Sequence, residues 1–423
     1  MGSRNSVTTA ARPRASCSEW RRPGINERHL KIASTPSMQQ SVQIELARRA
    51  FAHLDAGTTD LAADVYRHPV DTYVDRGWLA REKATLFRRY PLFVGLSGRI
   101  AQPGDYFAEE HAGMPVLVVR GDDGAARAFV NLCRHRGAPV GKGCGRVDGF
   151  SCPYHAWRYD RQGHLVAIPD QRSFPGVDRS AHGLVPLPLV ERDGILWVQP
   201  APDVRLDDAA LTAHLCGMEQ DLASYRLVDY RLFESRVLKR ETNWKMPIET
   251  FLEPYHFMPL HRDTVAPIFH ANLCLFDAFG LNQREAVLRR TFHTLRDQPE
   301  STWDFVRHSA ISYQIFPNTV FVMQADHVET WRVFPDEDGP DRCVVHFDCY
   351  VPELPATDKA RRYWEANVDL AIRTVDLEDI AMQVELARGF RSGVAENVLV
   401  GRNEPSLAHY QRAIRRAVTG VAA

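Results

Sequence analysis

From residue 38 onward the apolar positions Val42, Leu46, Ala50, Phe51 and Leu54 return every three or four residues, the period of one helical face, and 80–87 reads the same way. After Tyr90 the period shortens. Apolar runs at 116–119, 128–132, 163–168 and 195–198 are separated by turn signals at Gly104, Gly121 to Gly124 and Gln162-Gly163, so they read as strands of a small all-β unit of about a hundred residues. Beyond Pro200 the elements lengthen: a strand over 230–238, a helix near Trp244, strands over 312–315, 320–324, 329–333 and 343–350, a long helix over 358–388 and a last one over 406–418. That mixed order, without internal repeat, predicts an α+β domain built on an antiparallel sheet. The pattern therefore divides the chain into N-terminal helices over 38–87, a β domain over 88–200 and a larger domain over 201–423.

Residues 1–37 are rich in Arg, Ser, Thr and Pro with only Glu19 and Glu27 as acids, a composition expected to be disordered and shared by transit peptides. Because Met38 stands directly ahead of the first helical pattern, a start codon placed too early is the simpler account.

Composition narrows this only a little. With 44% apolar and 25% charged residues, 423 residues suffice for two proper cores. A net charge of −1 lacks the basic excess of a nucleic-acid binder. No apolar run approaches the roughly eighteen residues of a transmembrane helix, so a protein with no membrane span is expected. Apart from Cys133 and Cys152, the eight cysteines show no paired spacing, which is the usage of a reducing cytoplasm.

Chemistry concentrates in 131–159, NLCRHRGAPVGKGCGRVDGFSCPYHAWRY. Two short loops each supply one Cys and one His, Cys133 with His135 and Cys152 with His155, and sixteen residues separate His135 from Cys152. A structural zinc ion fits this soft four-ligand set by count, although such sites usually pair Cys with Cys and His with His. One Cys and one His per loop suits a two-iron cluster, with the thiolates on one iron and the imidazoles on the other. Cys144, between the pairs, reads as a loop thiol.

A second set lies in NWKMPIETFLEPYHFMPLHRD, read as a helix and its exit. Glu253 and His256 are three apart and share a helical face. His256 and His261, five apart, diverge by about 140° on an unbroken helix, so Pro259 is expected to break it and turn His261 back. Two of seventeen histidines prove little, and a third ligand decides. The apolar stripe Val368, Ile372, Val375, Met382 and Leu386 is interrupted by Asp379, whose burial would be costly without a partner. Asp376 and Glu378 lie off that stripe and read as solvated charges. His256, His261 and Asp379 together make a 2-His-1-carboxylate set, suited to non-heme Fe(II) with positions open for O2 and substrate. The region between Pro267 and Asp297, with Arg284, Arg289 and Arg290, reads as an exposed loop, or as a pocket wall able to neutralise a substrate carboxylate.

CRHRG at 133–137 and CPYHAW at 152–157 resemble the C-x-H and C-x2-H motifs of Rieske [2Fe-2S] clusters. Glu253, His256 and His261, followed far downstream by Glu378-Asp379, resemble the E/D-x2-H-x4-H and E-D motifs of Rieske non-heme iron oxygenases, the catalytic α subunits of the aromatic-ring-hydroxylating dioxygenase family. The resemblance covers about 87–390 and implies a Rieske domain followed by a helix-grip, START-like catalytic domain. It implies a [2Fe-2S] cluster on Cys133, His135, Cys152 and His155, and a mononuclear Fe(II) on His256, His261 and Asp379. Glu253 matches the acid that bridges a Rieske histidine of one subunit, His155 ahead of His135, to an iron-ligand histidine of the next in a head-to-tail homotrimer. Electrons from NAD(P)H arrive only indirectly, through a ferredoxin and/or flavin reductase, because the chain has no nucleotide-binding fingerprint of its own. The partners implied are that reductase, O2, a small-molecule substrate, and a β subunit in some relatives.

Three positions depart from the family pattern: Ala156 for the usual Gly, Ala387 where many relatives carry Gln, and Glu253 rather than Asp. Glu at that place is familiar from oxygenases of quaternary ammonium compounds. The expected activity is hydroxylation of an aromatic ring. Monooxygenation and N-demethylation of a methylated amine is the alternative, and a Rieske electron-transfer and ligand-binding protein is the alternative of another class.

Overall fold

In the computed structural model, which describes residues 38–421, the first helix forms over Gln40–Ala56 on the expected apolar spacing and buries Leu46, Ala47, Ala50 and Phe51. Gly57 closes it at φ 62°, a left-handed conformation that glycine adopts without strain. The readings made for 1–37 lie outside the described residues.

From Leu92 to Val198 the chain is β with short 3-10 turns. A five-stranded sheet runs in the order 186–187, 126–130, 114–120, 105–111, 143–146, and a three-stranded one in the order 189–192, 195–198, 92–96. The strand Met114–Arg120 has apolar partners on both sides. Val116 and Val118 pack with Val94, Phe107, Leu196 and Val198, while Leu117 and Val119 pack with Phe129, Trp157 and Tyr159 beneath a third small sheet. Double-sided burial is why its sequence is a continuous apolar run rather than an alternation. The strand expected over 163–168 shrinks to Leu165–Ala167, because Gly163 turns the chain at φ 83°. Cys144 lies exposed on the edge strand Gly143–Arg146 rather than in a loop.

The larger domain is one seven-stranded sheet, antiparallel throughout. Its strands in chain order are β1 (Arg231–Arg240), β2 (Phe269–Phe279), β3 (Asn282–Arg289), β4 (Ser309–Ile315), β5 (Thr319–Met323), β6 (Val328–Pro335) and β7 (Cys343–Val351), and they lie side by side as β1-β7-β6-β5-β4-β3-β2. Both faces are covered. Ala286, Leu288, Ile311, Tyr313, Phe321 and Met323 pack against the first helix and the helices Asp208–Leu215 and Met218–Ser224. Val320, Val322, Trp331 and Val333 pack against Trp364, Val368, Ile372 and Val375 of the long helix. The β2–β3 hairpin replaces the loop expected between Pro267 and Asp297. Its two-residue turn starts on Gly280 at φ 63°, a hairpin signal that sequence reasoning passed over.

A buried ion network joins the β domain to this sheet. Glu109 accepts from Arg332 at 2.7 Å and from Arg99 at 2.5 Å, and Arg332 also reaches Asp348 at 3.0 Å. Burial alone would raise the Glu109 carboxyl, but the two guanidiniums outweigh it and hold the group well below the usual carboxylate range. Among the described residues no helix is long and apolar enough to cross a membrane.

Candidate metal centres

The two Cys/His loops are built alike. Gly137 N–H donates to Cys133 O and Ala156 N–H to Cys152 O, each at 2.9 Å, while Cys133 N–H and Cys152 N–H return to Ala138 O and Trp157 O at 2.8 Å. Each loop needs a left-handed residue at the same step, Gly137 at φ 77° and Ala156 at φ 54°. At Ala156 the missing glycine costs backbone strain of about 1 kcal/mol, not room.

Both thiols are buried, at 3% and 4% exposure. Arg134 N–H donates to the Tyr159 hydroxyl at 2.9 Å, which leaves the hydroxyl hydrogen free to point at Cys133 Sγ, 3.3 Å away. Burial and the adjacent Cys133 both raise the Tyr159 hydroxyl above its ordinary pKa, so it stays a donor to that sulfur. The rings of His135 and His155 lie 4.7 Å apart, His135 is stacked on Trp157, and Nδ1 of each histidine is buried with no protein partner.

Two orphaned imidazole nitrogens beside two buried thiols fit a metal group. A tetrahedral zinc would draw all four ligand atoms to within about 4 Å of one another. Among the described residues, no three of these four meet within 4.8 Å. The four donors are therefore not drawn together as a single tetrahedral ion would draw them.

The second set does converge. Ligand atoms of His256, His261 and Asp379 lie within 4.8 Å of one another. Nε2 of His261 is 2.9 Å and Nε2 of His256 3.4 Å from Asp379 Oδ1, yet that buried oxygen has no hydrogen bond of acceptable geometry. Three donor atoms facing one another without mutual hydrogen bonding is the arrangement that a cation resolves.

The way the chain achieves this differs from expectation. The helix near Trp244 is a single turn, Met246–Glu249, followed by a 3-10 turn, and Glu253 is extended at φ −166°, so Glu253 and His256 share no helical face. His256 and His261 instead bracket the short helix Phe257–Leu260. Pro259 sits inside that first turn, where its missing N–H costs nothing, and it breaks no helix.

The long helix is continuous from 358 to 391 but passes through a π-helical segment, Arg373–Ile380. There Asp376 and Glu378 are not solvated. Asp376 is buried and paired with Arg240 at 2.6 Å. Glu378 Oε2 accepts from His261 Nδ1 and from Thr264 Oγ1, both at 2.7 Å. Glu253 does the same on the other ring, taking His256 Nδ1 through Oε1 and the His256 backbone N–H at 3.0 Å through Oε2. Each histidine is thus held by a carboxylate on Nδ1, which leaves Nε2 facing Asp379. Burial lowers the His261 pKa, but Asp379 and Glu378 outweigh burial and raise it. Glu378 and Thr264 are the residues that sequence reasoning missed. Only the Glu378-Asp379 adjacency pointed to the first, and nothing pointed to Thr264.

Among the described residues no hydrogen bond, ion pair or ring contact joins 131–160 to 250–264 or to 373–391.

Residues 91–185 match the family model of the Rieske [2Fe-2S] domain, and 227–420 match that of the ring hydroxylating alpha subunit (catalytic domain). The chain is 32% identical over 214 residues to the glycine betaine monooxygenase oxygenase subunit of Chromohalobacter salexigens, covering 49% of this chain and 47% of that one. It is 29% identical over 181 residues to the carnitine monooxygenase oxygenase subunit of Acinetobacter baumannii, covering 43% and 48%. The match spans about half the length of these relatives. A solved structure of a quaternary ammonium Rieske monooxygenase with L-carnitine superposes with a TM-score of 0.72 at 20% identity, over 85% of this chain and 97% of the other, a likeness of fold.

Proposed function

Since the chain belongs to the Rieske oxygenases, with a Rieske domain ahead of a ring-hydroxylating α-subunit catalytic domain, we propose that it is the oxygenase component of a system that oxidises a small organic molecule with O2. The observation that carries this reading is the closure of His256, His261 and Asp379 around one buried, unpartnered carboxylate oxygen. Cys133, His135, Cys152 and His155 would hold a [2Fe-2S] cluster, within a Rieske part over 88–200, and His256, His261 and Asp379 a mononuclear Fe(II), within a catalytic part over 201–423. The cluster would supply one-electron transfer and the iron an O2-activating centre.

The chain's own residues set the conditions for both. The Tyr159 hydroxyl stabilises thiolate charge at Cys133. Glu253 and Glu378 fix the tautomers and planes of His256 and His261. With no hydrogen bond, ion pair or ring contact joining the two ligand sets among the described residues, electrons pass between copies in this reading. A head-to-tail homotrimer in which His155 of one copy meets Glu253 of the next supplies the route. NAD(P)H reduces the protein through a ferredoxin and/or flavin reductase. The seven described cysteines are all free, in keeping with a cytoplasmic protein.

The substrate class favoured is a methylated amine. Glu253 in place of Asp and the glycine betaine and carnitine monooxygenase activities of the relatives above support it. In the overall change an N-methyl group of a quaternary ammonium ion takes up one oxygen atom of O2 and becomes an N-hydroxymethyl group. The second oxygen atom leaves as water, formed with two electrons and two protons. The C–N bond of the hydroxymethyl compound then breaks, its electron pair stays on nitrogen, and the products are the tertiary amine, formaldehyde and a proton. Ring hydroxylation is the second reading, favoured by the ring-hydroxylating model that 227–420 matches.

Substrate-stimulated O2 uptake with a surrogate reductase and NADH, assayed over methylated amines, aromatic acids and neutral arenes, separates these readings. Formaldehyde release with an amine supports dealkylation, and a hydroxylated arene supports the ring reading. An iron-loaded protein that stimulates uptake with none of them is not an oxygenase of this kind.

A further inference from the structure

Three of the four arginines of 267–297, Arg284, Arg289 and Arg290, occupy three different environments. Arg284 lies on the sheet face that packs against helix Met218–Ser224, where Asp221 and Asp277 hold it, the latter at 2.8 Å. Arg290 is exposed. Arg289 ends β3 on the opposite face, directly across the ladder from Phe269.

Arg289 is half-buried, and no Asp or Glu oxygen lies within salt-bridge distance of it among the described residues. Its Nε donates to Ser309 O at 3.2 Å and Nη2 to Gln324 Oε1 at 2.7 Å, which leaves Nη1 without a protein acceptor. The nearest acids are engaged elsewhere. Asp326 accepts from His327 at 2.7 Å and from Tyr363, and Glu329 accepts from His327 at 3.3 Å and from Trp331 Nε1 at 3.2 Å.

The guanidinium is linked to the metal triad by an aromatic wall of ring contacts. It lies 5.4 Å from the Phe269 ring, Phe269 is 5.6 Å from Phe257, and Phe257 is 5.1 Å from the His256 ring and 5.7 Å from that of His261. Val287 and Ala310 pack with Phe269 and Phe257 in one buried apolar cluster. A cation with a free donor at one end, a metal-ligand triad at the other and aromatic faces between them match a zwitterion lying along the wall.

We propose that Arg289 is a specificity residue that anchors the carboxylate of the substrate, so that the preferred substrate is a methylated amino acid held with its onium carbons toward His256, His261 and Asp379. This rests on the oxygenase reading of that triad. The carboxylate gains a charge-assisted hydrogen bond in a partly desolvated site. The methylated nitrogen lies against the Phe257 and Phe269 faces. An onium compound lacking a carboxylate meets the like charge of Arg289 with nothing to offset it, which is discrimination by repulsion as well as by attraction.

The test uses pairs that differ only in the carboxylate: glycine betaine with choline, and benzoate with benzyl alcohol. Each is assayed on the holoenzyme, as wild type, Arg289→Gln and Arg289→Lys, for steady-state kinetics and for equilibrium binding by calorimetry. Wild type should prefer the carboxylate member of the active pair. Arg289→Gln should lose about 10- to 100-fold in kcat/KM and in affinity for that member, chiefly through KM, while the alcohol holds or improves. Arg289→Lys should recover part of the loss.

A loss shared equally by both members would make Arg289 a packing residue and overturn the anchor. So would a carboxylate preference that the substitution leaves untouched, or wild type showing no preference within an active pair. An effect confined to benzoate would keep the anchor and overturn the amine. Iron-loaded wild type that turns over no member would overturn the oxygenase reading itself, and the anchor with it.

Discussion

At the scale of single residues, Asp379 decides whether the second ligand set holds a metal. It is 4% exposed, and its Oδ1 faces two imidazole nitrogens without a proper hydrogen bond. A buried carboxylate left in that state is costly, and a cation relieves the cost. Asp379→Ala should therefore lose about one iron per chain and all turnover while keeping the visible spectrum of the cluster. Wild-type turnover in that variant would remove Asp379 from the site. Glu378 acts one step further out, through His261 Nδ1. Glu378→Gln should keep the fold and weaken iron binding about 10- to 100-fold, the usual effect of losing the carboxylate behind a ligating histidine. Metal titration of the apoprotein reads this directly, and unchanged affinity would reduce Glu378 to a packing residue.

At the scale of elements, the β3 strand and the π-helical segment show what the sequence carried and what it withheld. The apolar stripe Val368, Ile372, Val375 located the long helix and singled out Asp379, because an apolar period makes one acid conspicuous. The same stripe wrongly continued to Met382 and Leu386, each 46% exposed. The π segment adds a residue to the turn, so burial passes instead to Gln383 and Ala387. Ala387 then packs with Tyr73 and Met246. A change of helical pitch leaves no mark in composition, which is why Glu378 and Asp376 looked solvated. The four Cys/His positions were legible because their spacing is local. The β2–β3 hairpin was less so, because β3 carries buried polar residues, Gln283 and Glu285, on the face toward the last helix.

Glu285 on that strand accepts from Ser406 and is pushed up to about 8, by burial first and then by the neighbouring charges of Glu253 and Glu404. Its folded pKa lies above its unfolded value. Its contribution to stability is therefore complete below about pH 4.5 and is lost as pH rises through about 8, at no more than about 1.4 kcal/mol per pH unit. Glu285→Gln should flatten that decline, melting close to wild type at pH 5 and above it at pH 9. A pair of melting curves that stay parallel across this range would show that Glu285 ionises freely in the folded protein.

At the scale of the whole molecule, no hydrogen bond, ion pair or ring contact joins the two proposed ligand sets among the described residues. The Glu109, Arg332, Arg99 and Asp348 network fixes the β domain on the sheet, and removing one partner from such a buried pair typically costs about 3–5 kcal/mol. With that join fixed, swinging the Cys/His loops onto the chain's own triad is not an inexpensive motion. The proposed transfer between copies makes a prediction that no single-chain property mimics. Cys133→Ser abolishes the cluster and keeps the iron ligands, and Asp379→Ala does the reverse, so each alone should be inactive. Co-expressed in equal amounts, they should assemble into mixed rings. There an intact cluster neighbours an intact iron site at about one quarter of the interfaces, and activity should return to about that fraction of wild type. Electron transfer within one chain would give no recovery at any mixing ratio, because no chain in the mixture carries both centres. Recovery that tracks the product of the two subunit fractions would show that each transfer crosses one interface of the ring. It would also give Glu253, which already holds His256 through Nδ1, its role as the acceptor-side carboxylate at the join.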